Sequence, residues 1–387
     1  MAGLERRCFL GELGAAGVLA VSGCAAFSPA RRSEYSVAVL GDTHFDAEPD
    51  SVYHSHYRNE GKAEWLWKVQ RQEFARNGEM WRDRCRRMLA ASAKLAQERP
   101  TDFILQLGDV IQGDCDDVAT HKKMLDDCIR MLRAPYPKGL PFFTVVGNHD
   151  FRGEGAESAY FGFIEPFLSK EIGKAVKYPA FSFWRGPDLW IFCHFEQACP
   201  ADLIPHLEEG ISARHVFLVT HGPFTPGEST SWRWRLGGDE GLWGAERAKV
   251  MDLLLRRHAI VLSGHTHQIA CWRLANERGS YSEFTVNSVW AKPELATAKP
   301  LAAAPGAYGE MTLAKFRKHG NETGAKDYSR DIAPFKALLK DYFFTYGAGH
   351  FRLDVGEEKV TMDYFPGDAM SGARTFVLKD CKGRSHT

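Results

Sequence analysis

The sequence predicts an α/β protein built on a largely parallel central sheet, and three observations carry that prediction. Five short apolar runs, rich in Val, Ile, Leu and Phe and bounded by turn residues, read as buried strands. Helical patterns lie between them, which is the alternation of a parallel sheet with crossover helices. Every run ends in Asp, Asn or His, and in open α/β sheets ligands bind beyond the carboxyl ends of the strands.

Taken in chain order, YSVAVLGDTH (35–44) ends in Asp42 and His44, and TDFILQLGDV (101–110) ends in Asp109. PFFTVVGNHD (141–150) ends in Asn148 and His149, HVFLVTHGPF (215–224) carries His221, and AIVLSGHTH (259–267) ends in His265 and His267. Helical patterns occupy 81–98, 117–133, 200–209 and 244–257; in the first, Trp81, Cys85, Met88 and Leu89 form a core stripe. Side chains of an extended segment alternate, so His265 and His267 are expected on one side, and Asp42 and His44 likewise. Gly41, Gly108, Gly147 and Gly264 precede the polar clusters and allow a sharp chain exit with close backbone approach. A helix near 331–342 and a C-terminal hairpin over 349–368, turning at GEE, complete the pattern; the hairpin is expected to close a second sheet.

Composition bounds the function. Lys+Arg and Asp+Glu are both 49 in 387 residues, so the basic surplus of a nucleic-acid polymer binder is missing. Apolar content of 44% is ample for a core. At the N-terminus, Arg6-Arg7-Cys8-Phe9-Leu10 resembles a twin-arginine export signal. VSGC (21–24) resembles a bacterial lipobox. The expectation is a signal peptide over 1–23, lipidation at Cys24, a linker over 24–34, and a periplasmic or cell-envelope lipoprotein whose only membrane contact is its anchor. The competing reading is an ordinary signal peptide with a chance cysteine, or a cytoplasmic enzyme. Beyond Cys8 and Cys24, seven of the nine cysteines remain, with no CxxC spacing, and buried reduced thiols are expected.

The polar strand ends describe a metal site. No cysteine joins them, so a structural zinc site is excluded. Imidazole, carboxylate and one amide suit Zn, Fe or Mn better than Ca or Mg. Two carboxylates against two divalent ions leave a net positive pocket that attracts an anion such as phosphate.

The series DxH, GD, GNHD, H, GHxH along residues 37–267 resembles the calcineurin-like metallophosphoesterases. The resemblance implies a four-layer α-β-β-α sandwich of two mixed sheets and a dinuclear centre. It implies that Asp42, His44 and His267 hold one ion, that Asn148, His221 and His265 hold the other, and that Asp109 bridges them. It also implies that His149 contacts the scissile phosphate or the leaving group, with in-line attack by a bridging hydroxide. A small phosphorylated substrate follows. Purple acid phosphatases place Tyr three residues after the bridging Asp, and the related protein phosphatases place Asp there; this chain has Gln112, with Asp114 two residues on. Periplasmic 5′-nucleotidases add a further domain, for which the 120 residues after His267 are too few. The series fits best with phosphodiesterase-like members. A phosphomonoesterase and an inactive phosphate-binding lipoprotein are the alternatives.

One domain over 35–380 is expected, with insertions at 45–62, 225–244 and 291–348. In the first, His54 and His56 read as additional ligands, substrate contacts or polar loop residues. In the second, Arg233 and Arg235 between three tryptophans read as a phosphate or carboxylate clamp with a ring platform, or as a lid packed on its own aromatics. Asp150 either orients His149 or is a solvated loop carboxylate.

Overall fold

The protein is described by a computed structural model covering residues 33–46, 53–54, 64–177, 179–194, 200–237, 240–287, 299–372 and 374–381. The expected signal peptide, Cys24, His56 and Cys199 lie outside these residues.

The chain begins β1 (Tyr35–Leu40), α1 (Glu64–Arg82), α2 (Arg84–Glu98), β2 (Phe103–Gln106), α3 (Val118–Arg133), β3 (Phe142–Thr144) and α4 (Ala156–Ile172). A second half follows with β4 (Ala180–Arg185), β5 (Asp188–Cys193), α5 (Ile204–Glu209), β6 (Val216–Thr220), α6 (Glu240–Arg257), β7 (Ile260–Ser263), β8 (Ile269–Asn276) and β9 (Gly279–Thr285). It closes with α7 (Glu310–Lys318), α8 (Glu322–Leu338), β10 (Leu339–Thr345), β11 (Gly349–Val355), β12 (Lys359–Pro366) and β13 (Arg374–Asp380).

These strands form two mixed sheets, in the orders β13-β12-β11-β1-β2-β3 and β10-β8-β9-β7-β6-β5-β4. A single largely parallel sheet is therefore not what the five ligand strands build. β1, β2 and β3 run parallel in the first sheet, while β6 and β7 run parallel in the second. The antiparallel hairpin of β4 and β5 starts the second sheet, and local strand–helix alternation does not reveal that change. The C-terminal hairpin also differs from expectation. It extends the first sheet, with Tyr35 of β1 opposite Val355 of β11. The helix expected near 331–342 stops at Leu338. The following residues, buried at Leu339, Tyr342, Phe343 and Phe344, pair with β8 instead.

The sheets pack face to face through aromatic contacts. Phe103 meets Trp190 edge-on at 5.1 Å and Phe143 meets Phe183 at 5.1 Å. The Trp190 indole N–H also donates to the Tyr35 hydroxyl across the gap at 2.9 Å. Helices cover both outer faces, giving four layers. Along β5 the alternation divides cleanly: Trp190 and Phe192 join the core between the sheets, while Leu189 and Ile191 join the core under α5–α8. Helix starts follow the usual chemistry. Asp117 accepts from the Thr120 amide at the head of α3, and Asn321 from the Gly324 amide at the head of α8. The stripe of Trp81, Cys85, Met88 and Leu89 is buried. No disulfide joins the six described cysteines, five of which lie on strands or helices or in the loop at 115. No helix among the described residues is long and apolar enough to cross a membrane.

Candidate metal centre

The carboxyl ends of the ligand strands meet where the two sheets face each other. His44 Nε2 lies 3.0 Å from His267 Nε2, and His267 Nε2 lies 3.0 Å from Asp42 Oδ2. Beside this trio, His221 Nε2 is 3.2 Å from Asp109 Oδ2, 3.2 Å from His265 Nδ1 and 3.3 Å from Asn148 Oδ1. His44 Nε2 is 3.6 Å from the same Asp109 oxygen, so Asp109 stands between the two groups. The structure thus brings Asp42, His44, Asp109, Asn148, His221, His265 and His267 together. His149 joins them, its ring edge-on to His44 at 4.4 Å.

These spacings fit metal ions. Ligand atoms ~2.0–2.1 Å from one ion stand ~3.0 Å apart at right angles and ~3.4 Å apart in a tetrahedron. The donors form the compact sets Asp42–His44–His267, Asp109–His221–His265 and, between them, His44–Asp109–His149, with one ligand atom from each residue of a set within 4.8 Å of the others.

The backbone is bent to achieve this. His44, Asp109, His265 and His267 all have positive φ, between 40° and 66°. This conformation costs non-glycine residues energy and persists only where surroundings enforce it. It also corrects the expectation that His265 and His267 share one side of an extended segment. They lie in a tight turn, and the two imidazoles go to different donor sets. Two carboxylates act as the enforcing ties. Asp42 accepts from the His265 amide at 3.0 and 3.1 Å, and Asp109 accepts from the His149 amide at 2.8 Å. Both press against a glycine: a Cβ on Gly264 collides with the Asp42 carboxylate, and one on Gly147 with that of Asp109.

Electrostatics follow from burial and crowding. Burial by itself raises the Asp109 carboxyl, but His221, His149 and His44 outweigh it and hold the group well below its usual range. Burial lowers His221, yet Asp109 and Asp42 hold it at about 10. Burial pushes His265 down to about 3, with the His221 charge adding to the effect. His44 and His149 are also lowered, in both cases chiefly by burial. His221 Nδ1 contacts the Leu107 carbonyl at 2.7 Å. A carbonyl only accepts, so Nδ1 carries hydrogen and Nε2 is the nitrogen turned to the site.

Around His149 sits a cluster that sequence reasoning did not assemble. Its Nδ1 donates to the Gln112 carbonyl at 3.1 Å. Arg152 Nη1 lies 2.9 and 3.2 Å from the two ring nitrogens, while Arg152 Nη2 pairs with Asp114 at 2.5 Å. Asp114 therefore reaches His149 through Arg152 and forms no direct dyad with it. The Gln112 side chain points to α1, where it meets Asn77 and Glu73. Asp150 is fully buried and accepts from the Gly147 and Ile111 amides. It neither orients the His149 ring nor faces solvent. Burial, with the Asp109 charge, raises its carboxyl to about 8.

The expected substrate contacts fare differently. His54 is buried, stacked on Phe74, and placed 2.8 Å from Asp46 and 2.9 Å from the Asp114 carbonyl. Both partners are acceptors, so the ring is a structural cation under the loops. Burial works against its charge, but the Asp46 contact raises it above the ordinary value. Arg233 points out to Asp327 at 2.8 Å. Arg235 is buried against Phe335. Neither arginine lines the cavity over the donors, because their segment turns its tryptophans toward it instead. That cavity, about 260 Å³, is bounded by Asp109, Asn148, His149, His265 and His267 on one side and by Pro223, Gly227, Ser229, Ser231, Trp232, Trp234 and Thr266 on the other.

The family model for calcineurin-like phosphoesterases matches residues 35–269, which include every one of these donors. The chain belongs to this family. This calcineurin-like phosphoesterase is accordingly a hydrolase of phosphoric esters. A structure of PhoD is similar over 92% of this chain and 72% of its own, with a TM-score of 0.50 and 12% identity. Purple acid phosphatase PPD1 from yellow lupin (Lupinus luteus) seeds is similar over 91% of this chain and 55% of its own, with a TM-score of 0.50 and 10% identity. At such identities these likenesses concern the fold alone. No curated protein matches the chain in sequence.

Proposed function

We propose that this phosphoesterase is a dinuclear phosphodiesterase. The observation that carries the diester reading is the cavity wall. Its described lining contains no lysine or arginine, while Pro223, Trp232 and Trp234 supply an apolar side. A monoester dianion calls for more positive charge than a diester monoanion, and a diester brings a second organic substituent that needs surface to rest on.

Asp42, His44 and His267 are suited to hold one Zn, Fe or Mn ion, and Asn148, His221 and His265 another, with Asp109 shared. Bound there, the ions supply Lewis-acid polarisation of the phosphoryl group and lower the pKa of water at the site. The protein does the rest. Asp42 and Asp109, tied by the His265 and His149 amides, fix the spacing of the donor groups. His149 holds Nδ1–H on the Gln112 carbonyl, so Nε2, 3.2 Å from Arg152 Nη1, is the nitrogen that meets the leaving oxygen, in competition with that guanidinium. Arg152, drawn to Asp114, sets the ring's position.

The test is kcat/KM for bis(4-nitrophenyl) phosphate against 4-nitrophenyl phosphate, with Mn, Fe or Zn restored to metal-free protein. A higher value for the diester is expected. A strong monoester preference overturns the diester reading and leaves the phosphoesterase assignment standing.

A further inference from the structure

Trp234 is a large apolar side chain at this site that hydrolysis itself does not use. It is 60% exposed, yet it forms part of the cavity wall beside Asp109, His149 and His265. We propose that Trp234 is a specificity-determining residue that receives a flat aromatic or heteroaromatic ring on the retained substituent of the phosphodiester. The proposal rests on the diesterase reading and names its substrate class.

The indole is held out to solvent by design of its turn. Trp232 beside it is buried and fixed, donating its indole N–H to Asp331 at 2.8 Å. Arg233 pairs with Asp327 at 2.8 Å, and the Trp234 amide donates to the Ser231 carbonyl at 2.9 Å. Two residues on, the Leu236 amide closes the segment onto the Pro223 carbonyl at 3.0 Å. With its neighbours tied on both sides, the Trp234 backbone is fixed before any ligand arrives, which reduces the ordering cost of binding. Its exposed ring lines the same cavity as Asp109, His149 and His265, so a ligand over the donors meets it.

Orientation decides which substituent it meets. The Trp234 ring lies nearly parallel to His265, 18° apart with centroids at 6.0 Å. His149 lies edge-on to a different donor, His44, and both it and Trp234 line the same cavity. With the leaving oxygen at His149, the retained substituent extends toward Trp234. The ground beside the indole is built from small residues, Gly227, Ser229 and Ser231, which leave room for a ring and offer hydroxyls to its polar edge. A cavity of about 260 Å³ seats the phosphoryl group with one ring against Trp234, which is 60% exposed, so the rest of a larger diester extends into solvent. Stacking accepts any flat ring, since every such ring has a π face.

The experiment uses diesters that share a 4-nitrophenyl leaving group and differ in the retained substituent: methyl, cyclohexyl, phenyl or thymidin-5′-yl. Wild type is expected to favour phenyl and thymidinyl. Trp234→Ala is expected to lower kcat/KM for those two by ~5–150-fold, the range for loss of one stacked ring, while the methyl ester changes little. Trp234→Phe is expected to recover most of the loss. A larger loss on thymidinyl than on phenyl assigns a nucleobase, and an equal loss assigns rings in general. A loss shared equally by methyl, or a cyclohexyl loss as large as that of phenyl, overturns the proposal. If wild type instead prefers monoesters, the diesterase reading has failed, and the ring contact is read from inhibition. Phenylphosphonate outcompeting methylphosphonate in wild type but not in Trp234→Ala supports the contact. Equal inhibition by the two in wild type sinks it.

Discussion

His149 is held by groups that are easy to name and hard to foresee. The Gln112 carbonyl takes its Nδ1–H, and Arg152 leans on the ring while Asp114 holds Arg152. The expected outcome for His149→Ala is retained metal content with turnover lowered ~10²–10⁴-fold, the usual span for a general acid. The loss should shrink on a 4-nitrophenyl ester, whose leaving group needs no proton. An equal loss on good and poor leaving groups assigns His149 to charge stabilisation instead. Arg152→Ala should reproduce part of the loss without changing metal content. At this scale the cluster of candidate donors was legible, because Asp, Asn and His at the ends of apolar runs have few structural uses. Arg152 was not legible. Its role depends on a contact with Asp114, and both residues taken singly read as loop charges. His54 failed the other way. A histidine in a polar stretch gives no sign that Asp46 and a backbone carbonyl will bury it as a cation.

Among elements, the segment from Pro223 to Leu236 forms the substrate-side wall, and it is anchored by two carboxylates that the sequence did not single out. Glu283 on β9 accepts from the Phe224 and Thr225 amides at 2.7 and 2.8 Å. Glu228 reaches the first turn of α7, accepting from the Gly309 amide at 2.6 Å and from the Thr312 amide and hydroxyl at 3.1 and 2.9 Å. A buried carboxylate at a helix N-terminus meets unsatisfied amides and the positive end of the helix dipole. Glu228→Ala strands those donors, and hydrogen bonds to a charged partner are worth ~1.5–3 kcal/mol each. The variant should unfold at lower denaturant by at least ~2 kcal/mol, and its KM should rise because Gly227 and Ser229 line the cavity. Unchanged stability and KM contradict this anchoring role. The elements that sequence patterning missed have physical reasons. Helix α4 carries Gly162 and Pro166 inside it, both breaker signals. Strand β8 mixes buried Trp272 and Leu274 with exposed Arg273 at a position where a ligand turn has only just ended. Strand β10 follows α8 with no intervening turn residue, so its pattern reads as more helix.

Over the whole molecule, the metal site is a seam. Asp42, His44, Asp109 and Asn148 leave the first sheet, while His221, His265 and His267 leave the second. That partition was invisible in the sequence, because strand pairing joins residues far apart, as with Tyr35 and Val355. The convergence on one rim was visible, because parallel strands share a carboxyl end. Two of the donor sets draw on both sheets: Asp42 and His44 with His267, and Asp109 with His221 and His265. Each bound ion therefore ties sheet to sheet and is lost when they part. Linkage then couples metal to stability, since a ligand that binds only the folded state at a hundred times its Kd adds ~2.7 kcal/mol per site. Chelation should lower the thermal midpoint, and Mn or Zn should restore it in proportion to the logarithm of free ion. The crowded left-handed turns at His44, Asp109, His265 and His267 add to the effect, because donors at separations near 3 Å are spaced to share an ion. Asp109→Asn removes the carboxylate between the two sets, so its midpoint should start low and respond weakly to either chelator or ion. A wild-type midpoint indifferent to metal removal, measured by calorimetry alongside elemental analysis of the same sample, shows that the sheets hold together without ions and that the seam is not metal-tied.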